Sequence, residues 1–265
     1  MRPPGEPTLR GECALVTGSS DGLGYAIAQG LARAGCNVVL HGLEAESVVQ
    51  PRCDELVQAH GVQARYVRSD LATEHGAHRL ADAARELGEV GILVNNAVVR
   101  HFSPVAEFPI DAWQRALTVN LTAPLQLVQF LLPGMRSRGW GRIVNLSSVY
   151  GSRGTVNRID YVTTKSALLG FTRAVALETS GEGITCNAVC PGTVLTPAIE
   201  TRVAQIVAKG VPREEAERQV LAGKQPTGRF VEAGDVAELI VFLCGPAGRD
   251  ITGAMLPMDG GWLAG

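Results

Sequence analysis

The sequence predicts an α/β protein: one doubly wound domain with a mostly parallel seven-stranded sheet and helices on both faces. Three observations predict it. Short apolar runs alternate with amphipathic segments along the 265 residues, the first run ends in a glycine-rich turn, and no linker, repeat or composition break divides the chain. Strands separated by helical segments of this length mean βαβ units, whose crossovers force parallel strands covered on both faces.

The elements follow in order. Apolar runs at 13–16, 37–40, 64–67, 92–94, 142–146 and 184–189 read as short buried strands. Helical periodicity fills about 23–34, 44–60, 73–88, 111–138 and 160–180. The stretch 193–231 leaves the pattern and carries a charged helix near 213–218. A long excursion past a strand's carboxyl end covers a ligand, so this segment is expected to be a substrate lid. A helix at 234–244 and a strand from Met255 to Met258 complete the sheet edge.

Composition narrows the function. Net charge is −2, from 24 Lys+Arg against 26 Asp+Glu, which argues against nucleic acid or an anionic membrane as the partner and for a small molecule. No apolar run approaches the roughly 20 residues of a bilayer span, and the first ten residues lack the apolar middle of a signal peptide, so a cytoplasmic location is expected. Six cysteines occur without a CxxC or zinc spacing, which reads as reduced, packed thiols and no metal site. Glycine, at 31 residues, is the anomaly.

Part of that surplus sits in Thr17-Gly-Ser-Ser-Asp-Gly-Leu-Gly24, between the first strand and a helix with Leu23, Ile27 and Leu31 on one face. Gly18 permits a tight turn, Gly22 lets a pyrophosphate reach the backbone, and Gly24 allows close helix–sheet packing. The helix N-terminus offers unpaired N–H groups to phosphate. A glycine triplet in this setting is the dinucleotide-binding turn of a Rossmann domain.

The spacing GxxxGxG resembles that of the short-chain dehydrogenase/reductase family, and the resemblance runs over about residues 10–265. It implies cofactor contacts by Gly18, Ser20, Asp21, Gly22, Leu23, Gly24, Asp70, Leu71, Asn96, Ala97, Pro191, Gly192 and Val194. Asn95-Asn-Ala97 is similar to the family's NNAG motif, with Val98 in place of the glycine. Asn120, Ser148, Tyr161 and Lys165 match its catalytic tetrad. The implied roles are proton exchange by Tyr161, ribose binding and pKa lowering by Lys165, a hydrogen bond from Ser148 to the substrate oxygen, and a relay water held by Asn120. Tyr161 and Lys165 lie four apart on one helix face. Lowering a phenol by ~3 pKa units takes about 4 kcal/mol, roughly what one ammonium at ~4 Å supplies at an effective dielectric of ~20.

An NADP reader places a cation near the 2′-phosphate. Neither the turn nor His41-Gly-Leu-Glu-Ala-Glu46 has one, and Asp21, Glu44 and Glu46 repel phosphate, so NAD is the expected cofactor, with NADP the lesser choice. The second half, from Ala176 to Gly192 and then Lys224-Gln-Pro226 and Asp259-Gly-Gly-Trp262, is similar to the bacterial D-3-hydroxybutyrate dehydrogenases. Carried over by that resemblance, the substrate residues are Arg100, Ser148, Tyr150, Arg158, Tyr161, Thr193 and Arg202. Arg100, Tyr150, Arg158, Thr193 and Arg202 replace Gln, His, Lys, Trp and Gln respectively. The pocket gains guanidinium forks and loses an aromatic wall, which points to a 3-hydroxy acid larger than 3-hydroxybutyrate or doubly anionic. The alternatives are a 3-oxoacyl-thioester reductase or other alcohol or ketone dehydrogenase, with the arginines as solvated surface charges, and an idle dinucleotide-binding scaffold. Trp262 reads either as a pocket cap or as a packed terminal residue.

The family resemblance also implies a homotetramer. The apolar faces of Leu117, Leu121, Leu125 and Val128, and of Leu168, Phe171 and Val175, fit subunit contacts and fit burial against their own sheet equally well.

Overall fold

The computed structural model describes residues 9–265, so the expectation that the first ten residues form no signal peptide falls, for residues 1–8, outside the described residues. Seven strands form the sheet: β1 (Cys13–Val16), β2 (Asn37–Gly42), β3 (Ala64–Arg68), β4 (Val90–Asn95), β5 (Gly141–Leu146), β6 (Ile184–Pro191) and β7 (Met255–Met258). They lie in the order β3-β2-β1-β4-β5-β6-β7, and every pair is parallel. The sheet is therefore wholly parallel, a tighter result than the expected mostly parallel one.

Each strand feeds two cores, because successive residues point to opposite faces. Ala14, Val16, Val38, Leu40, Ile92 and Val94 pack on one side with α1 (Gly22–Arg33), α2 (Glu46–His60) and α9 (Ala233–Cys244). Leu15, Val39 and Leu93 pack on the other with α3 (Gly76–Arg85), α5 (Ala123–Arg138) and α6 (Ile159–Glu178). All six cysteines are buried and free, as their scatter in the sequence suggested.

Two helices differ from the periodicity. The helix expected from 73 begins at Gly76, because Asp70 shapes the preceding turn: its carboxylate accepts the Ala72 N–H at 2.9 Å and its carbonyl accepts the Thr73 hydroxyl at 2.7 Å. The expected helix 111–138 is α4 (Ile110–Leu117), a π-helical turn at Thr118–Thr122, then α5. Pro124 supplies the reason, since it has no N–H for the Asn120 carbonyl four residues earlier. The combined segment Ile110–Arg138 is, by its 29 residues and composition, long and apolar enough to cross a membrane, but Ala123, Leu127, Leu131 and Met135 are spent on the sheet.

Of the helix faces weighed for subunit contacts, Val128, Leu168 and Val175 are buried in this chain's own packing, whereas Leu125 stays exposed. Leu177, which the sequence reading did not single out, is 79% exposed.

The segment 193–231, expected to be a substrate lid, holds two helices rather than the one charged helix expected: α7 (Pro197–Val207) and α8 (Arg213–Leu221). They share a small core of their own, Val203 against Ala216 and Val220. Arg213 ties them by paired bonds to Glu200 at 2.6 and 2.8 Å. The segment thus has a core of its own and is closed at its base by a bridge between Val194 and Val231.

Candidate active site

The glycine turn is locked from beneath. Ser19 is buried, donating its hydroxyl to the Val16 carbonyl at 2.7 Å and accepting the His41 N–H at 3.0 Å. The Gly18 N–H donates to His41 Nδ1 at 3.0 Å, so the ring hydrogen sits on Nε2, 2.9 Å from the Ser69 carbonyl that accepts it. His41 is thus neutral, and burial pulls its pKa down to about 4. The unfolded chain binds this proton more readily, so stability is lost as pH falls from about 6.5 towards 4. The full loss is about 3 kcal/mol. Urea denaturation across that range should show this slope, and His41→Asn should remove it; an unchanged slope would assign acid lability elsewhere.

Gly18 has φ +61°, and a Cβ there would stand 2.9 Å from Ala97 Cα. At Gly24 a Cβ would overlap the Gly18 carbonyl oxygen, so Gly24 lets α1 begin directly against the turn's own backbone, nearer than the sheet packing assigned to it from sequence. Asn96 clasps the turn from β4, donating to the Thr17 carbonyl at 2.9 Å and the Gly18 carbonyl at 2.8 Å. Asp21 caps α1 through the Gly22 N–H at 2.7 Å, which with Arg52, 3.1 Å away, holds its carboxyl below the usual range.

Two cavities meet over this turn and share Gly18, Ala97 and Val98. They lie past the carboxyl ends of β1 and β4, where strand order reverses, the place at which doubly wound sheets bind ligands. The smaller, of about 240 Å3, is lined by Ser20, His41, Gly42, Glu44, Asp70 and Leu71. Glu44 folds back so that its carboxylate accepts the Leu43 N–H at 3.0 Å and lies over Gly42, where a Cβ would collide with it. The larger, of about 450 Å3, is lined by Asp21, Leu23 and Gly24 at one end, by Pro191, Gly192 and Val194 along one wall, and by the reactive side chains beyond. A bare glycine cradle, a helix N-terminus and an elongated cleft fit a dinucleotide. Of the expected cofactor residues only Gly22 lines neither cavity.

Ser148, Tyr161 and Lys165 line the larger cavity together. Ser148 follows β5 and accepts the Tyr150 N–H at 3.3 Å; Tyr161 and Lys165 share the inward face of α6. Lys165 is fully buried, its ammonium donating to the Leu146 carbonyl at 2.5 Å and standing 5.5 Å from the Tyr161 ring centre. Burial pushes its pKa down to about 8. Burial also pushes Tyr161 up, offset by its contact with Ser148 and by the charges of Arg100 and Arg158. The spacing leads to the expectation that Lys165 lowers Tyr161, with an oxidised nicotinamide adding to the effect; in the free site desolvation opposes that lowering and the ammonium is held to a backbone carbonyl.

Asn120 stands apart from the cavity. Its amide is spent on Val99, accepting that N–H and donating to that carbonyl at 2.9 Å each, and on Thr164 at 3.1 Å.

The expected substrate residues Arg100, Tyr150, Arg158, Thr193 and Arg202 all line the larger cavity. Arg158 is wedged between Phe102 and Tyr150, its guanidinium carbon 4.4 and 5.6 Å from their ring centres. Trp262 satisfies both readings: it is 8% exposed, lines the cavity and meets Tyr150 edge-on at 5.4 Å. Sequence reasoning missed Lys224 as a pocket residue. It follows α8, donates to the Val220 carbonyl at 2.6 Å, and its pKa is lowered by burial and by Arg202 and Arg158. Its only signal was membership of Lys224-Gln-Pro226, which says nothing of direction.

Known proteins agree with this architecture. The chain is 38% identical over 262 residues to a D-beta-hydroxybutyrate dehydrogenase of Cupriavidus necator, covering 97% of this chain and 99% of that one. Among solved structures, L-sorbose reductase from Gluconobacter frateurii, complexed with NADPH and L-sorbose, superposes with TM-score 0.91 at 30% identity, covering 98% of this chain and 99% of that one. A candidate NAD(P)-dependent gluconate 5-dehydrogenase from Beutenbergia cavernae with bound NADP superposes with TM-score 0.86 at 36% identity, covering 98% and 100%. The short chain dehydrogenase model matches residues 12–206, and the chain belongs to that family of oxidoreductases.

Proposed function

We propose that the protein is an NAD-dependent oxidoreductase that interconverts a 3-hydroxy acid and its 3-keto acid, taking an acid larger than 3-hydroxybutyrate or one with two anionic groups. The observation that carries this reading is the convergence of Arg100, Arg158, Arg202 and Lys224 on the cavity that holds Ser148 and Tyr161. Four cations around one reacting position are matched by no carboxylate in that half of the cleft, since Asp21 lies at the far end beside the glycine turn. Guanidinium groups hold carboxylates by paired hydrogen bonds, so the charge selects an acid and its excess accommodates a second anion. The relative named for gluconate, a longer hydroxy acid, is consistent with such a pocket.

When bound, the nicotinamide accepts or donates the hydride. The protein's share is local. Ser148 orients the substrate oxygen and Tyr161 exchanges its proton. Lys165 donates to a ribose hydroxyl and to the hydrogen-bond path that resupplies Tyr161. The amide of Asn120 is already engaged, so a relay water would rest on its backbone carbonyl, which Pro124 deprives of its helical donor. Leu23 and Gly24 at the start of α1 line the cleft and bring N–H groups to the phosphates, the Gly22 N–H being held by Asp21. NAD is favoured by Glu44, whose carboxylate accepts from a ribose diol and repels a 2′-phosphate. The two solved neighbours carry NADPH and NADP, so comparing the Kd values of NAD and NADP decides the point. We further propose a cytoplasmic homotetramer, supported by six free thiols and by exposed Leu125 and Leu177 on α5 and α6.

A steady-state screen with NAD should rank hydroxy-dicarboxylates and longer 3-hydroxy acids above neutral alcohols. Lys224→Ala and Arg202→Ala should raise KM for doubly anionic acids by about 10-fold or more while affecting singly charged acids less. Neutral alcohols outperforming every acid would overturn the anion pocket.

A further inference from the structure

The cleft contains an arrangement that the hydride chemistry does not use. The phenol that exchanges the proton and the cations that select an anion are in one compartment, rather than in separate subsites. Arg158 enters from the residue before α6 and is pinned between Phe102 and Tyr150, while Tyr150 packs edge-on against Tyr161 with ring centres 6.2 Å apart. Arg100 enters from the segment after β4 and lines the same cavity.

We propose that Arg100 and Arg158 serve both as substrate anchors and as the charge partners of the Tyr161 hydroxyl, so that a bound anion and the Tyr161 phenolate compete for the same two guanidinium groups. The proposal rests on the acid–base role of Tyr161 and is independent of which acid is the substrate.

The other groups around Tyr161 do not supply this charge. Lys165, on the same helix, directs its ammonium to the Leu146 carbonyl. The Asp160 carboxylate is spent on the Tyr161 and His101 N–H groups, at 2.6 and 2.8 Å. Cys190, beside Lys165, is a buried thiol that burial keeps protonated. Arg202 acts on Arg158, and Lys224 answers to Arg202 and Arg158. The directions agree: the two arginines are the charges that pull Tyr161 down against its burial.

Coupling of this kind is reciprocal. With the pocket empty, the guanidinium charges make the phenolate less costly against the burial that disfavours it. Once a carboxylate occupies them, their charge is withdrawn and the Tyr161 phenol holds its proton more firmly, as the neutral donor that gives it to a keto acid's oxygen when the hydride arrives at carbon. An anionic keto substrate thereby prepares its own proton donor.

The test is ultraviolet titration of tyrosinate in the free protein, with the Tyr161→Phe variant of each protein subtracted. Tyr25, Tyr66 and Tyr150 are present in both proteins and cancel in the difference. Arg158→Gln and Arg100→Gln should each move the Tyr161 midpoint up by about one unit. Arg158→Lys, which keeps the charge, should restore it. Malonate at matched ionic strength should raise the midpoint in the wild-type protein and leave the double Gln variant unmoved. Should a Gln variant fail to fold by circular dichroism, the wild-type malonate shift and the Arg158→Lys midpoint still decide. A midpoint indifferent to both arginines, or equal malonate shifts with and without them, overturns the proposal while leaving the hydroxy-acid reading standing. Neutral alcohols outperforming every acid in the substrate screen would remove the anchoring role of the two arginines, whereas their charge pairing with Tyr161 is decided by the titration.

Discussion

Replacing Tyr161 by Phe is expected to lower kcat by about 10²–10⁴-fold, the usual contribution of a positioned proton-transfer group. The hydroxyl is the proposed proton-exchanging group, in contact with Ser148 and in the cavity that Lys165 and the arginines also line. The phenyl ring keeps the edge-on packing on Tyr150, so the fold and the dinucleotide cradle should be untouched. Nicotinamide absorbance under saturating substrate measures the loss, and protein fluorescence quenching on NAD addition should give an unaltered Kd. Retention of more than a tenth of the turnover would mean that another group carries the proton.

Gly24→Ala is expected to damage both stability and cofactor affinity, although it adds one methyl group. That methyl would overlap the Gly18 carbonyl oxygen and press on the Asn96 amide and Ser19 Cα, which would stand 2.6 and 2.8 Å away. Two of the three obstacles are backbone, and the turn they belong to is held by Ser19, His41 and Asn96, so none yields cheaply. Overpacking of this kind costs about 1–3 kcal/mol, which lowers Tm by several degrees in a chain of this size. Displacing the start of α1 also misdirects its N–H groups, and a loss of about 100-fold in dinucleotide affinity is expected, equivalent to ~2.7 kcal/mol. Calorimetric titration with NAD and a thermal melt measure the two effects. Normal affinity would show that the turn relaxes around the new side chain.

The two substitutions differ in how readily sequence alone reveals their sites. Tyr161 and Lys165 share a face because a helix returns every 3.6 residues, and that relation is local. The order of strands and helices and the glycine turn after β1 are equally local, and they read correctly from periodicity and spacing. Even so, local signals were incomplete. Pro124 sits four residues after Asn120 and announces a broken helical bond, yet the apolar periodicity of 111–138 is strong enough to conceal it.

What the sequence by itself determined was a doubly wound dinucleotide fold with a Ser, Tyr and Lys set and an unusual number of arginines near it. Only the tertiary structure decided where the charges act. Lys224 joins Arg202 in the cleft because the segment 193–231 folds back on its own small core. Glu44 folds over the smaller cavity because Gly42 leaves room beneath it. His41 is a neutral latch for the turn because burial strips its charge. Each of these depends on distances across a cavity and on desolvation, which are set by how distant segments close over one another and not by any periodicity along the chain.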